Sequence, residues 1–416
     1  MTDNQAAGLL SDAMPSAELT EPGAIPLQAT QPSMAMSVSP WLRSWRWDGF
    51  WMLSGFWVPT LLLLLPLAGA EALILTFTLC FWIGHRVSSL YLAWCVGEYQ
   101  SVLQARRSYF LGLPLLLLGL VMGFLLCPLS LLPMPRLERI ILLALADYAF
   151  SLYHFSVQHY GVLSVYRSKL PHGQKDPVLL KWDWWMCLAV SGVFTIVIDL
   201  ANGELKPFEL FGAGFGAMPV TDQSFALLRW GLTALVLLIW GIMLRRYLRQ
   251  RQGLARILYL STLCYMTMVS FHVGPLLYFA MVQIQHWFVS LGLTTFMAAN
   301  SRQPARGWYR PWAWINARAF GPLLVLMLLS IGLTPVLEAD YYILGQFNAE
   351  SLTVKGFLTS FGDSIWLYVF GGLAFFSSFV HYLYDRGVFR FSDPLTRQAA
   401  LSLLRQPESK RADAEG

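Results

Sequence analysis

Apolar runs of about 20 residues alternate with short polar segments along most of the chain, a length that lets a helix cross a bilayer. They fall at 50–69, 72–95, 109–133, 138–166, 182–201, 224–247, 255–274, 277–299, 317–336 and 362–386. In lipid every backbone amide and carbonyl must be bonded internally, so such runs are read as helices. The stretch 255–299 would be about 67 Å long as a single helix, and Gly274-Pro275 divides it into two spans. The pattern predicts an all-α polytopic transmembrane bundle of about ten spans. It occupies 41–390, between an N-terminal tail at 1–40 and a cytoplasmic C-terminal tail at 391–416. The N-terminal tail is rich in Ala, Pro, Ser, Thr and Gln without an apolar core, a composition of disorder. The loops 202–223 and 337–361 mix apolar and acidic residues and are expected to lie along the outer surface.

Composition agrees and narrows the class. The chain is 56% hydrophobic and 13% charged, against roughly a quarter charged in soluble domains. A net charge of +5 invites an anionic partner, but the basic residues follow topology instead. With the N-terminus inside, 23 of the 29 Lys and Arg fall in cytoplasmic segments, including the cluster Arg245 to Arg256. Only Arg136, Arg139, Lys206, Arg229 and Lys355 fall outside, and Arg86 lies within a span. This asymmetry predicts that both termini are cytoplasmic. The five Cys (80, 95, 127, 187 and 264) lie in or beside apolar runs with no CxxC pair, and read as packing residues. There is no phosphate loop, nucleotide motif or internal repeat, and no nucleic-acid partner is expected. No basic start followed by an apolar run marks a cleavable signal, so a bacterial inner membrane is the expected location.

The candidate chemistry lies in the histidines. Six of seven fall in spans: His85, His154, His159, His272, His286 and His381, while His172 sits in a basic Pro/Gly loop as a solvated residue. Ionisable side chains are expensive in lipid and by default face the bundle interior. Counting at about 1.5 Å per residue puts His85, His154 and His286 near the midplane, with His159 and His381 roughly 7–10 Å towards the cytoplasm. His272 falls near the outer end of its span and stands apart. Five histidines from the second, fourth, eighth and tenth spans can therefore converge on one centre, as metal sites in helical bundles do. Asp147, Ser151, His154 and Gln158 share one helix face by their spacing. His159 is about 140° round from His154 and reaches a common centre only from its flank. His381 and Asp385 are one turn apart, so the carboxylate can orient the imidazole or co-ligate. Arg86 needs an anionic or polar partner at its depth. The expected ligands are His85, His154, His159, His286 and His381, supported by Asp147, Gln158, Asp385 and Arg86. A proton or substrate pathway, or separate packing roles, remain alternatives for the same residues.

Imidazole with carboxylate and without thiolate suits iron, copper or zinc and argues against an iron–sulfur cluster. No His-Glu-x-x-His motif points to zinc hydrolysis. On His154-x-x-x-Gln158-His159 and His381-x-x-x-Asp385, the chain resembles the histidine-rich integral-membrane iron enzymes. These are the lipid desaturases and hydroxylases and the carotene dioxygenases of the Brp/Blh type. The resemblance covers about a third of the chain in pattern. It lacks the His-x-x-x-His and His-x-x-His-His boxes of desaturases; Gln158 stands where a box has its second histidine. It implies a non-haem iron oxidoreductase acting on a lipid or isoprenoid-like substrate, an apolar small molecule, with an electron donor. Two other classes stay open: a proton-coupled secondary transporter using Asp147, His154 and Asp385, and a b-type haem protein.

Overall fold

The computed structural model describes residues 39–65, 69–170, 176–202, 222–302, 307–318, 320–344, 351–362 and 364–404. Residues 1–38, His172, Lys175, Lys206, most of the expected loop 202–223 and residues 405–416 lie outside them. Among the described residues there is no strand. Ten apolar helices follow one another: α1 (Ser54–Leu64), α2 (Glu71–Cys95), α3 (Ser108–Leu126), α4 (Arg136–Ser168), α5 (Pro177–Asp199), α6 (Gln223–Arg249), α7 (Leu254–Ser270), α8 (Pro275–Ala299), α9 (Gly321–Leu344) and α10 (Ile365–Val388). Eight are long and apolar enough to cross a membrane, and α1 and α7 are shorter. The eight mark an integral membrane protein.

The shortness of α1 has a local cause. Its 11 residues reach about 16 Å, because the apolar run that begins at Phe50 is broken at Met52-Leu53. Both of those amides bond to the carbonyl of Asp48, at 2.8 and 2.9 Å. The Asp48 carboxylate is itself held by the amides of Leu42 and Arg43 and by the Tyr166 hydroxyl, at 2.8, 3.2 and 2.7 Å. The chain is thus pinned to α4 before the helix restarts. Between α7 and α8 the break falls as the sequence predicts, with Pro275 opening α8 after an extended Gly274. His272 lies in that turn, 2.9 Å from the Thr233 hydroxyl.

Helix α2 is the axis of the bundle, packed against α8, α9 and α10. It can approach closely because Gly84 carries no side chain. A Cβ there would lie 2.1 Å from Trp287 Nε1 of α8 and 2.2 Å from Ser330 Oγ of α9. Small residues at such a crossing let helices make van der Waals contact in lipid, where no hydrophobic force drives them together. Peripheral α3 and α6 instead turn Leu115, Leu116, Leu120, Leu227 and Leu238 outward, consistent with lipid around them.

Four buried charges differ from the sequence expectation. Arg139, expected in an outer segment, is fully buried and donates to the carbonyls of Phe124, Cys127, Leu132 and Met134 at 2.6–3.0 Å. It meets carbonyls left open where α3 ends. Arg256, counted with the cytoplasmic cluster Arg245 to Arg256, is buried against Asp183 of α5 and Gln252. The segment expected as an interfacial loop from 337 continues as helix to Leu344, and Glu338 and Asp340 are buried rather than interfacial. Beyond α10 the chain stays with the bundle: α11 (Pro394–Leu404) buries Ala399, Ala400, Leu403 and Leu404. The Asn300 amide donates to the Leu403 carbonyl at 2.8 Å.

Candidate metal centre

Four side chains from three helices meet in the interior. His85 comes from the middle of α2, His154 from α4, and His381 and Asp385 from successive turns of α10. One ligand atom from each lies within 4.8 Å of every other, a group that could hold a metal ion. His154 Nε2 is 3.2 Å from His85 Nε2 and 3.2 Å from His381 Nε2. Asp385 places Oδ2 3.4 Å from His154 Nε2 and Oδ1 3.6 Å from His381 Nδ1.

Hydrogen bonding among the rings does not satisfy this geometry. A neutral imidazole nitrogen offers either one hydrogen or one lone pair, so His154 Nε2 serves one of its two neighbours well and leaves the other facing it unpaired. A shared cation serves all three. Two nitrogens bound at about 2.0–2.1 Å stand roughly 3.3 Å apart on a tetrahedral ion and about 2.9 Å apart on an octahedral one. The observed 3.2 Å lies between these values. The residues present therefore fit a metal ion.

The two remaining expected ligands lie beside this group. The ring of His286 (α8) stands 4.2 Å from that of His85 and 5.2 Å from that of His154, and both its nitrogens are buried without a hydrogen-bond partner. His159 is further out, 6.1 Å from His286 ring to ring, with Nδ1 2.9 Å from the Tyr259 hydroxyl of α7. Its offset follows from the five-residue step from His154.

The supporting residues divide. Asp385 is at the centre. Gln158 is on the His154 face, its Oε1 buried without a hydrogen-bond partner. Asp147 accepts from the Tyr382 hydroxyl at 3.0 Å. Arg86 points away from the histidines, to the Ala374 carbonyl (3.1 Å), the Ser377 hydroxyl (2.8 Å) and Asp340 (4.0 Å). Its cation is thereby held by α9 and α10. Sequence reasoning missed Tyr259, Asp340 and Ser89, whose hydroxyl is 3.5 Å from His381 Nδ1. Ser88-Ser89 was a legible signal, a polar pair three and four residues after His85 inside an apolar run. Tyr259 carries no comparable signal.

Apolar rings wall the group. Phe155 stands 4.4 Å from His286, and Trp82 stands 6.3 Å from His85. These walls hold water off the donor atoms and strengthen their interaction with a cation. Comparison with protein families, with curated proteins and with solved structures finds no match for this chain, so the site stands on its own geometry.

Proposed function

We propose that the protein is an integral membrane oxidoreductase. In this reading His85, His154, His381 and Asp385 hold a non-haem iron, with His286 and His159 completing the histidine set. The substrate is a lipid or isoprenoid-like molecule entering from the bilayer. The observation that carries the reading is the convergence of the His85 and His381 Nε2 atoms, each 3.2 Å from His154 Nε2, beside a carboxylate and inside apolar walls. An imidazole and carboxylate donor set without thiolate is one that iron accepts. Iron held there supplies oxygen activation, chemistry suited to an apolar molecule with few polar handles.

The chain's own residues do the rest. Asp385 faces His381 Nδ1 with Oδ1, which leaves Nε2 of that ring for the centre, and places Oδ2 beside His154 Nε2 as a further donor atom. Phe155 and Trp82 exclude water and offer an apolar surface to substrate. An electron donor reaches the protein from the aqueous side, and a bacterial inner membrane is the setting this reading assumes. A b-type haem fits less well, because it needs two imidazoles on opposite faces of a wide flat ring, whereas three nitrogens converge here.

The test is metal analysis with an absorption spectrum on protein purified in mild detergent without added metal. Iron bound to the wild type, no Soret band, and loss of iron in His154→Ala with the protein still inserted support the reading. A chain reproducibly free of metal and not loaded by iron overturns it and points to proton-coupled transport.

A further inference from the structure

Next to the histidines lies a second polar group drawn from α2, α4, α9 and α10, buried at Arg86, Glu338 and Asp340 and half-buried at Asp147 and Tyr382. Asp147 of α4 accepts from Tyr382 at 3.0 Å and lies within electrostatic reach of Arg86. Asp340 of α9 stands 4.0 Å from Nη2 of the same guanidinium. Glu338, two residues earlier, accepts from the Ser351 hydroxyl at 2.7 Å. Ser351 caps the short helix Leu352–Gly356. The Leu352 amide there bonds to Thr76 near the start of α2 at 2.8 Å. The series thus starts at the face where α2 begins and α9 ends, which is the arginine-poor face of the bundle. It ends at Tyr382, whose ring stands 5.1 Å from that of His154.

Two features set this group apart from a simple ion pair. Asp340 and Asp147 share the Arg86 guanidinium, and Asp340 also lies within electrostatic reach of Glu338, so three carboxyl groups are accompanied by one cation. Electroneutrality in a space closed to bulk water leaves two protons on these acids. Moreover Arg86 Nε and Nη2, Asp340 Oδ1 and Glu338 Oε2 are all buried and make no hydrogen bond. Arg86 is only 2% exposed, and its bare Nη2 stands 4.0 Å from Asp340 within the cluster. Buried polar atoms of this kind are ordinarily met by internal water.

We propose that Glu338, Asp340 and Asp147 form a hydrated proton path from the arginine-poor face to the histidine cluster. A proton from the aqueous side binds Glu338, passes through water to Asp340 and then to Asp147, and leaves towards the cluster. Each acid is reprotonated from its surface-side neighbour. Arg86 stays a cation, passes no proton and holds Asp340 and Asp147 together, and Tyr382 positions Asp147. That these protons are consumed in oxygen reduction rests on the function proposed above; the path itself does not.

The experiment uses the full chain, stripped of metal, in proteoliposomes followed by infrared spectroscopy during exchange from H2O to D2O. The wild type is expected to show the carbonyl stretch of a protonated carboxylic acid, shifting as fast as solvent exchanges despite the burial. Asp147→Asn and Asp340→Asn, which keep the shape, each remove part of that band. Glu338→Gln slows the shift at the remaining acids by roughly tenfold, the change that about 1.4 kcal/mol in a barrier produces. Absence of the band in the wild type, or an unchanged exchange rate in Glu338→Gln, overturns the path. Iron binding measured on the same wild-type preparation fails or succeeds independently, so the two readings are separable.

Discussion

Gly84→Ala changes one methyl group at the crossing of α2, α8 and α9, and its effect on the histidines can be worked from the contacts. The added Cβ would sit 2.1 Å from Trp287 Nε1, and ordinary contact begins at 3.4 Å, so something must retreat by 3.4 − 2.1 = 1.3 Å. The Ser330 hydroxyl can rotate away. The Trp287 indole cannot, because it is 2% exposed and packed against Phe81 at 4.8 Å. The helices therefore separate, and both flank the site: Gly84 precedes His85 and His286 precedes Trp287. Overpacking of this kind costs about 1–3 kcal/mol in fold stability. A shift of that size would widen the 3.2 Å contact between His85 and His154 far beyond the roughly 0.2 Å tolerance of metal–ligand distances. Loss of ligand positioning typically weakens metal binding by about 10–100-fold. At a metal concentration about 100 times the wild-type Kd, the bound ion stabilises the wild type by roughly 2.7 kcal/mol and a variant weakened 30-fold by only about 0.9 kcal/mol. The assay is thermal unfolding in detergent, with and without metal, beside a direct metal titration. Gly119→Ala in α3, where nothing lies within 4 Å of the new Cβ, is the control and should leave both readouts in place. If Gly84→Ala binds metal as tightly as the wild type and gains the same thermal shift, the close crossing does not set the placement of His85.

Two further expectations concern the frame around the site. Arg256→Met should destabilise the protein by about 3–5 kcal/mol, because it leaves a buried carboxylate unpaired; that carboxylate is Asp183. The double variant Asp183→Leu/Arg256→Met should recover most of the loss in a detergent unfolding assay, and equal losses in single and double variants would exclude the pairing. Asp393 lies outside the spans, and the backbone amide and then the hydroxyl of Thr396 hold its carboxyl below the ordinary value, with Arg106 and Arg390 adding to this. Its contribution to docking α11 is therefore full above the unfolded value near about 3.9 and fades as pH falls through the lower folded value. Limited proteolysis after α10 should rise on acidification in that window in the wild type, and Asp393→Ala should flatten the dependence.

Much of the architecture could be read from residue pattern. A run of 20 apolar residues has few options in lipid other than a helix, and the Gly274-Pro275 break needs only local stereochemistry. Depth along each helix was also readable, since a fixed rise per residue converts position into height. This is why His85 and His154 were expected at one level. Periodicity went further at α10, where His381 and Asp385 one turn apart do point to the same place. The same rule separated His159 from His154, and the structure finds that imidazole beside Tyr259.

Burial of charge was the weak point. Arg139 and Arg256 stand at the first residues of their apolar runs, Glu338 and Asp340 lie in a stretch that reads as loop, and hydropathy treats any charge as a reason for water. What reverses that outcome is a partner on a different helix: the open carbonyls at the end of α3, Asp183 on α5, Ser351 or Arg86. Partners of that kind are remote in sequence and are supplied by packing alone.

The division follows from the range of the forces involved. Helix number, height and the face a residue occupies come from backbone geometry and the exclusion of unpaired amides from lipid, all of which act within a few residues. Those terms are written in the chain. Which helices become neighbours, and at what rotation, depends on close contacts such as that of Gly84 with Trp287 and Ser330. No local rule foretells such contacts. Six histidines within spans were visible in the sequence; that His85 and His381 each turn Nε2 to within 3.2 Å of His154 Nε2, with Asp385 beside them and His272 left in a turn, is a result of packing.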